Sequence, residues 1–236
     1  MNISLISLVK RYPWIQNIIG SIYVRCPAMM EHNLGKYHAL KKAFYLTALE
    51  NLHGDYLEFG VFTGGSFVFA TKAHRTTCGV SKVTTAFFGF DSFKGFGAQA
   101  AEDMHPFYTD QNFAVCEKRI VSNIKKQTKH EKETLAPGFF EKTLSHDPSL
   151  YGIKAARIIF IDCDLKDPAL LALRFSRQLI QKGTILMMDD FYSYRGAPDL
   201  GVSGADNQFL HKNSQISTRR LFDYGYGGVG VIFIAV

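Results

Sequence analysis

Four aspartates stand where two apolar runs end: Asp162 and Asp164 follow the run 157–161, and Asp189 and Asp190 follow 184–188. Runs of this length and composition suit strands covered on both faces, as in parallel α/β sheets. Neighbouring strands lie about 4.8 Å apart, which brings such carboxylates within a few ångströms of one another. Like charges that close must share protons or hold a cation. Hard oxygen donors with no histidine–cysteine set beside them point to Mg²⁺ or a similar ion. The plainer alternative is that two of the four cap helices and face water.

Two more strand ends carry chemistry. Residues 56–59 run directly into Gly60-Val61-Phe62-Thr63-Gly64-Gly65-Ser66, and glycines in such a turn let backbone approach a ligand closely. Three residues separate Gly60 from Gly64, so the spacing is not that of a dinucleotide site. No lysine follows Gly65, so it is not a P-loop either. S-adenosylmethionine (SAM) carries no phosphate and needs close approach without a pyrophosphate cradle. Asp91, after Phe88-Gly89-Phe90, is placed to accept hydrogen bonds from both hydroxyls of a ribose; its alternative is to cap the following turn.

These groups must be positioned by alternating strands and helices. Strands are expected at 56–59, 85–90, 133–136, 157–161 and 184–188, with helices at 36–52, from 66, at 113–127, near 140 and at 168–181. Residues 216–222 and 229–234 flank a glycine-rich turn and form a closing antiparallel hairpin. The outcome is an α/β, Rossmann-like, mostly parallel seven-stranded sheet with helices on both faces. Ligands bind such sheets outside the carboxyl ends of the strands, where all the residues above fall. Residues 1–53 read as an N-terminal helical arm or lid and 54–236 as the cofactor-binding domain.

Composition narrows the partners. The chain has 236 residues, 47% hydrophobic and 20% charged, enough for a substantial core. The net charge of +6 is scattered, its densest clusters being Lys125, Lys126, Lys129 and Lys132, and Arg219–Arg220. Neither has interleaved aromatics, so no nucleic-acid partner is expected. Cys26, Cys78, Cys116 and Cys163 form no CxxC pair, and the apolar segment 1–9 has no secretory pattern, which reads as a reduced cytoplasmic protein. Residues 14–24 are too short and polar for a membrane span. An ordinary docking helix, a dimer-forming arm or peripheral membrane contact all fit these two segments.

Four ordered blocks resemble the macrocin O-methyltransferase family of class I methyltransferases: Leu57-Glu58-Phe59-Gly60-Val61 through Ser66; Asp91-Ser92-Phe93-Lys94-Gly95-Phe96; Gly138-Phe139-Phe140-Glu141-Lys142-Thr143-Leu144; and Asp162-Cys163-Asp164-Leu165 with Lys182-Gly183 and Asp189-Asp190-Phe191. The resemblance implies a SAM-dependent O-methyltransferase acting on a small-molecule hydroxyl, of a sugar or another metabolite. By the same resemblance Glu58, Gly60, Gly64 and Ser66 surround the methionine of SAM, Asp91 with Ser92 holds the ribose, and Gly138 and Phe139 border the adenine. Asp162, Asp189 and Asp190 bind Mg²⁺ or a similar cation. Lys166 departs from the aromatic residue often found there in the family, and 192–198 has no clear family match.

Methyl transfer to oxygen needs a proton acceptor; Asp164 is the first candidate, Asp162 the second and a desolvated Lys166 a third. His105, His130 and His146 read as surface histidines. The stretch 92–112 and the N-terminal arm are the candidate lid. A nucleotide- or NAD-binding enzyme and a non-catalytic SAM-binding or assembly module are the rivals; a homodimer is the expected assembly.

Overall fold

The computed structural model describes residues 12–77, 79–97, 104–108, 113–128, 131–226 and 229–236. In chain order the elements are α1 (Pro13–Tyr23), α2 (Ala28–Leu49), β1 (Asp55–Phe59), α3 (Gly65–Thr76), β2 (Phe87–Asp91), α4 (Glu117–Thr128), β3 (Glu133–Pro137), the single turn α5 (Phe140–Thr143), β4 (Ala156–Ile161), α6 (Lys166–Ser176), β5 (Ile185–Met188), α7 (Gly201–Lys212), β6 (Thr218–Tyr224) and β7 (Gly230–Ala235). The strands form one sheet in the order β3-β2-β1-β4-β5-β7-β6. The first five are parallel; β7 enters antiparallel between β5 and β6. The turn from β6 to β7 is too short for the crossover that a parallel partner needs, so the hairpin closes the sheet.

Side chains alternate between the two sheet faces with period two. Leu57, Phe59, Ile159, Ile161, Leu186 and Met188 pack with α6 and α7 through Leu173, Val202 and Phe209. Tyr56, Ile158, Phe160, Ile185 and Met187 pack on the opposite face with Leu40, Phe44, Phe67 and Ile124 of α2, α3 and α4. Each such fully buried side chain contributes about 1.5–3 kcal/mol. The same alternation decides where the acidic residues point. Ile161 pairs with Met188, so Asp162 and Asp189 come next, level with each other and on the parity of Phe160 and Met187. They therefore face α2.

Helix α2 is docked by its own stripe: His32, Lys36, Ala39, Leu40, Ala43, Phe44, Thr47 and Ala48 are its buried residues. Near its C-terminal end the fully buried Arg157 of β4 donates to Thr47 Oγ1 at 2.6 Å and to the Phe44 carbonyl at 2.9 Å. These charge-assisted bonds tie the helix to the sheet. The helix expected from residue 36 thus begins at Ala28, one consequence being that His32 and Lys36 join its buried face.

One element, α7, has no counterpart in the expected pattern. Its sequence carries Gly201 and Gly204, poor helix formers, but Val202, Ala205 and Phe209 are buried against the core. Packing wins over propensity. At the other end of the chain, α1 buries none of its residues and exposes Trp14, Ile18, Ile19 and Ile22. No helix among the described residues is long and apolar enough to cross a membrane. The segment 1–9, Cys78, Lys129 and His130 lie outside the described residues.

Candidate active site

Two adjoining cavities open at the carboxyl ends of β1, β2, β4 and β5. They share Gly60, Phe62, Phe113, Asp162 and Asp164. The smaller is bounded by Asp91, Ser92, Phe96, Phe139 and Cys163. The larger, about 750 Å³, reaches Ser66, Asp189 and Asp190 and is walled by α2 and by aromatic residues.

At the smaller cavity the glycine turn is held by a carboxylate. Asp91 Oδ2 accepts the Val61 and Phe62 N–H groups, both at 2.7 Å, and Oδ1 accepts that of Phe93 at 2.6 Å. A carboxylate has about four acceptor positions, so three are used on the backbone. Burial pushes the Asp91 carboxyl up, and the same three N–H groups pull against it. Ser92 donates to the Gly95 carbonyl at 2.7 Å, and the Gly138 N–H donates to the Asp91 carbonyl at 2.8 Å. The three loops that carry the expected cofactor residues are therefore tied to one another through Asp91.

The two glycines of the first turn serve different contacts. At Gly60, where φ is +97°, a Cβ would lie 1.8 Å from the Asp162 carbonyl oxygen, so only glycine lets the turn pass β4. Gly64, also left-handed, lines neither cavity; its Cβ would meet Ile124 of α4 at 2.6 Å. Glu58 sits behind the cavities, fully buried, accepting from the Tyr56 hydroxyl and from Ser66 Oγ at 2.7 Å. Burial raises its pKa to about 7 against those two hydrogen bonds. Of the Glu58–Ser66 pair, Ser66 lines the large cavity.

The larger cavity holds the acidic cluster. Asp162, Asp189 and Asp190 each offer an oxygen, all within 4.8 Å of one another. Lys36 Nζ lies 2.8 Å from Asp162 Oδ2 and 2.6 Å from Asp189 Oδ2, and His32 Nε2 lies 3.1 Å from Asp189 Oδ2. Asp189 Oδ1 is buried without a hydrogen-bond partner. Burial would raise Asp189, but Lys36 and then His32 outweigh it and hold the carboxyl below its ordinary range. Asp164 goes the other way: burial first, then Asp190 beside it, hold it well above that range. Asp162 is also held well above its ordinary range, by burial first and against the pull of Lys36, so of these carboxyls Asp189 is the one held low.

The remaining wall is aromatic. The His105 ring centroid lies 4.4 Å from that of Tyr108 and 5.0 Å from that of Tyr194, so this half-buried histidine lines the cavity wall. The Tyr108 hydroxyl is bonded to Ser193 Oγ at 2.6 Å; burial, then Asp190 and Asp164, raise its pKa. Eight non-glycine residues have positive φ among those described, and five of them, Phe62, Asp164, Asp190, Tyr194 and Arg195, line the cavities. Strained backbone of this kind persists where surrounding structure enforces it and concentrates at functional sites. Lys166 begins α6 and lines neither cavity, and His146 is exposed. His32, Lys36, Tyr108 and Tyr226 were missed from sequence. The signal for the first two was available: a histidine and a lysine four apart, in phase with an apolar helical stripe.

Comparison with known proteins identifies the family and the fold. The sequence matches the macrocin-O-methyltransferase (TylF) family over residues 29–207. No curated protein is significantly similar in sequence. In structure the chain resembles the O-methyltransferase NovP, with a TM-score of 0.68, 18% identity, and 84% of this chain and 78% of that one covered. It also resembles the calicheamicin methyltransferase CalS11, with a TM-score of 0.62, 19% identity, and coverage of 82% and 76%. The SAM complex of TomG from Streptomyces achromogenes, an O-methyltransferase involved in tomaymycin synthesis, aligns with a TM-score of 0.50, 15% identity, and coverage of 83% and 79%. At these identities the structural likeness establishes the fold, while the family rests on the match across three-quarters of the sequence. The chain belongs to the macrocin O-methyltransferase family and is a SAM-dependent O-methyltransferase.

Proposed function

We propose that the enzyme methylates a hydroxyl of a small cyclic metabolite, a sugar or another hydroxylated ring, bound in the large cavity. The observation that carries this reading is that Asp162 and Asp164 line both cavities, so a proton acceptor stands where cofactor and acceptor meet. SAM, when bound, supplies a methyl on a sulfonium; the acceptor oxygen takes it as the C–S bond breaks and its electron pair returns to sulfur. Asp91 fixes the turn at Val61 and Phe62 and, with Ser92, Gly138 and Phe139, borders the adenosine end. Gly60 and Ser66 border the methionine end, with Glu58 orienting Ser66 from behind and Gly64 seating the turn on α4. Asp164, in its ionised form, takes the hydroxyl proton as general base. Asp162 is the second candidate for the same role. Tyr108 and Tyr194 offer ring faces for stacking on the acceptor.

Asp162, Asp189 and Asp190 fit a hard divalent cation such as Mg²⁺: three clustered oxygen donors, with the buried Asp189 Oδ1 left unpaired. Such an ion supplies positive charge that lowers a hydroxyl's pKa and orients it. We also take residues 1–53 as an N-terminal helical arm or lid, of which α2 walls the acceptor cavity, and 54–236 as the cofactor-binding domain. The free thiols of Cys26, Cys116 and Cys163 support a cytoplasmic location. The exposed apolar face of α1 supports a homodimer, which light scattering at two protein concentrations tests. Calorimetric titration with SAM, with and without Mg²⁺, followed by methyl transfer to a panel of sugars and phenols, tests the main reading. Binding of SAM with no transfer to any hydroxylated ring would overturn the acceptor assignment.

A further inference from the structure

The position between Asp162 and Asp189 already receives a cation from the chain itself. Lys36 Nζ approaches Oδ2 of both residues, which are two of the three clustered donors. It comes from α2, whose Ala28, Met29 and Asn33 also wall the acceptor cavity. Nothing in the proton transfer above uses Lys36. Its surroundings suit a cation held in place: the ammonium lies 5.6 Å from the centre of the Phe160 ring, and the residue is 9% exposed. The helix is closely seated here, since a Cβ at Gly35 would lie 2.7 Å from the Gly225 nitrogen of the hairpin turn.

We propose that Lys36 is the resident counter-cation of the Asp162–Asp189 pair, and that a divalent ion binds there only by displacing it. An ion held by these carboxylates would stand within a few ångströms of the ammonium that already contacts both, and two cations that close in a buried site repel. An ammonium stripped of both carboxylates is disfavoured in a buried site, so Lys36 leaves toward solvent and loosens the first turns of α2. Ion occupancy and full seating of the cavity wall then exclude one another, which couples the ion to acceptor entry. This inference rests on the reading that Asp162, Asp189 and Asp190 form the ion site.

The test is Mn²⁺ titration, followed by electron paramagnetic resonance, of SAM-saturated wild type, Lys36→Met and Lys36→Arg. Lys36→Met is expected to bind Mn²⁺ at least about tenfold more tightly than wild type, and Lys36→Arg within about threefold of it. Equal or weaker binding by Lys36→Met, with wild type still binding the ion, overturns the displacement and leaves the ion site standing. No Mn²⁺ binding by any of the three, all still binding SAM, overturns both. If Lys36→Met does not fold, hydrogen exchange of wild type decides: Mg²⁺ is expected to speed exchange in residues 28–36 several-fold, and unchanged exchange overturns the proposal.

Discussion

The two cavities differ in how they are made. The smaller is bounded by short loops that each follow a strand directly, and its walls are tied by hydrogen bonds between backbone and one carboxylate, Asp91. The larger draws on α2, the glycine turn, His105, Phe107, Tyr108 and Phe113, the ends of β4 and β5, residues 192–195 and Tyr226 of the hairpin turn. Its charges are balanced by side chains that meet across the whole chain: Lys36 and Asp162 are 126 residues apart, His32 and Asp189 157 apart. A cofactor common to a fold class is met by local turn chemistry, whereas an acceptor cavity is assembled from distant parts. That difference predicts which changes affect binding of SAM and which affect transfer.

The largest effect expected is at the junction. Asp164→Asn lowers kcat by about 10²–10⁴-fold, the usual contribution of a positioned base, with SAM affinity kept within about threefold by calorimetry. Equal loss of both would erase the distinction between the cavities. Next is Arg157→Met, which removes the donors to Thr47 Oγ1 and the Phe44 carbonyl. Urea unfolding should show a loss of about 2–4 kcal/mol, with hydrogen exchange rising in α2 before it rises in β1–β3. A uniform rise would mean that both cavities depend equally on α2.

Glu58 gives a pH signature. Its folded pKa of about 7 stands above the ordinary 4.5, so the fold favours the protonated form. The stability this contributes is complete below about pH 4.5 and is lost as pH rises to about 7. Relative to Glu58→Gln, wild type should therefore lose about 2–3 kcal/mol across that window and change little above it. A pH-independent difference between the two proteins would contradict it. Smallest is Asp91→Ala, expected to weaken SAM binding about 10–100-fold through the disordered turn. At saturating SAM its kcat should stay within several-fold of wild type.

The strand ends were legible because a strand's period and its apolar run are written in consecutive residues. Ile158 to Ile161 and Ile185 to Met188 marked β4 and β5, and the aspartates after them landed side by side as the register requires. The glycine turn was legible in the same way, although only the structure separated Gly60, which passes the backbone of Asp162, from Gly64, which packs on Ile124. Helix α7 was not legible, since its glycines argue against a helix that burial of Val202 and Phe209 imposes. The place of His105 in the cavity wall was not legible, because ring contacts with Tyr108 and Tyr194 leave no periodic trace.

By itself, then, the amino-acid sequence determined the sheet, its closing hairpin, the acidic strand ends and the family to which the chain belongs. Only the tertiary structure decided what those acids face. Docking of α2 put Lys36 and His32 onto Asp162 and Asp189, and the wall 105–108 brought Tyr108 to Ser193. Local conformation follows from neighbouring residues, but the charge state and the partners of a buried carboxylate depend on whatever distant segment is packed against it.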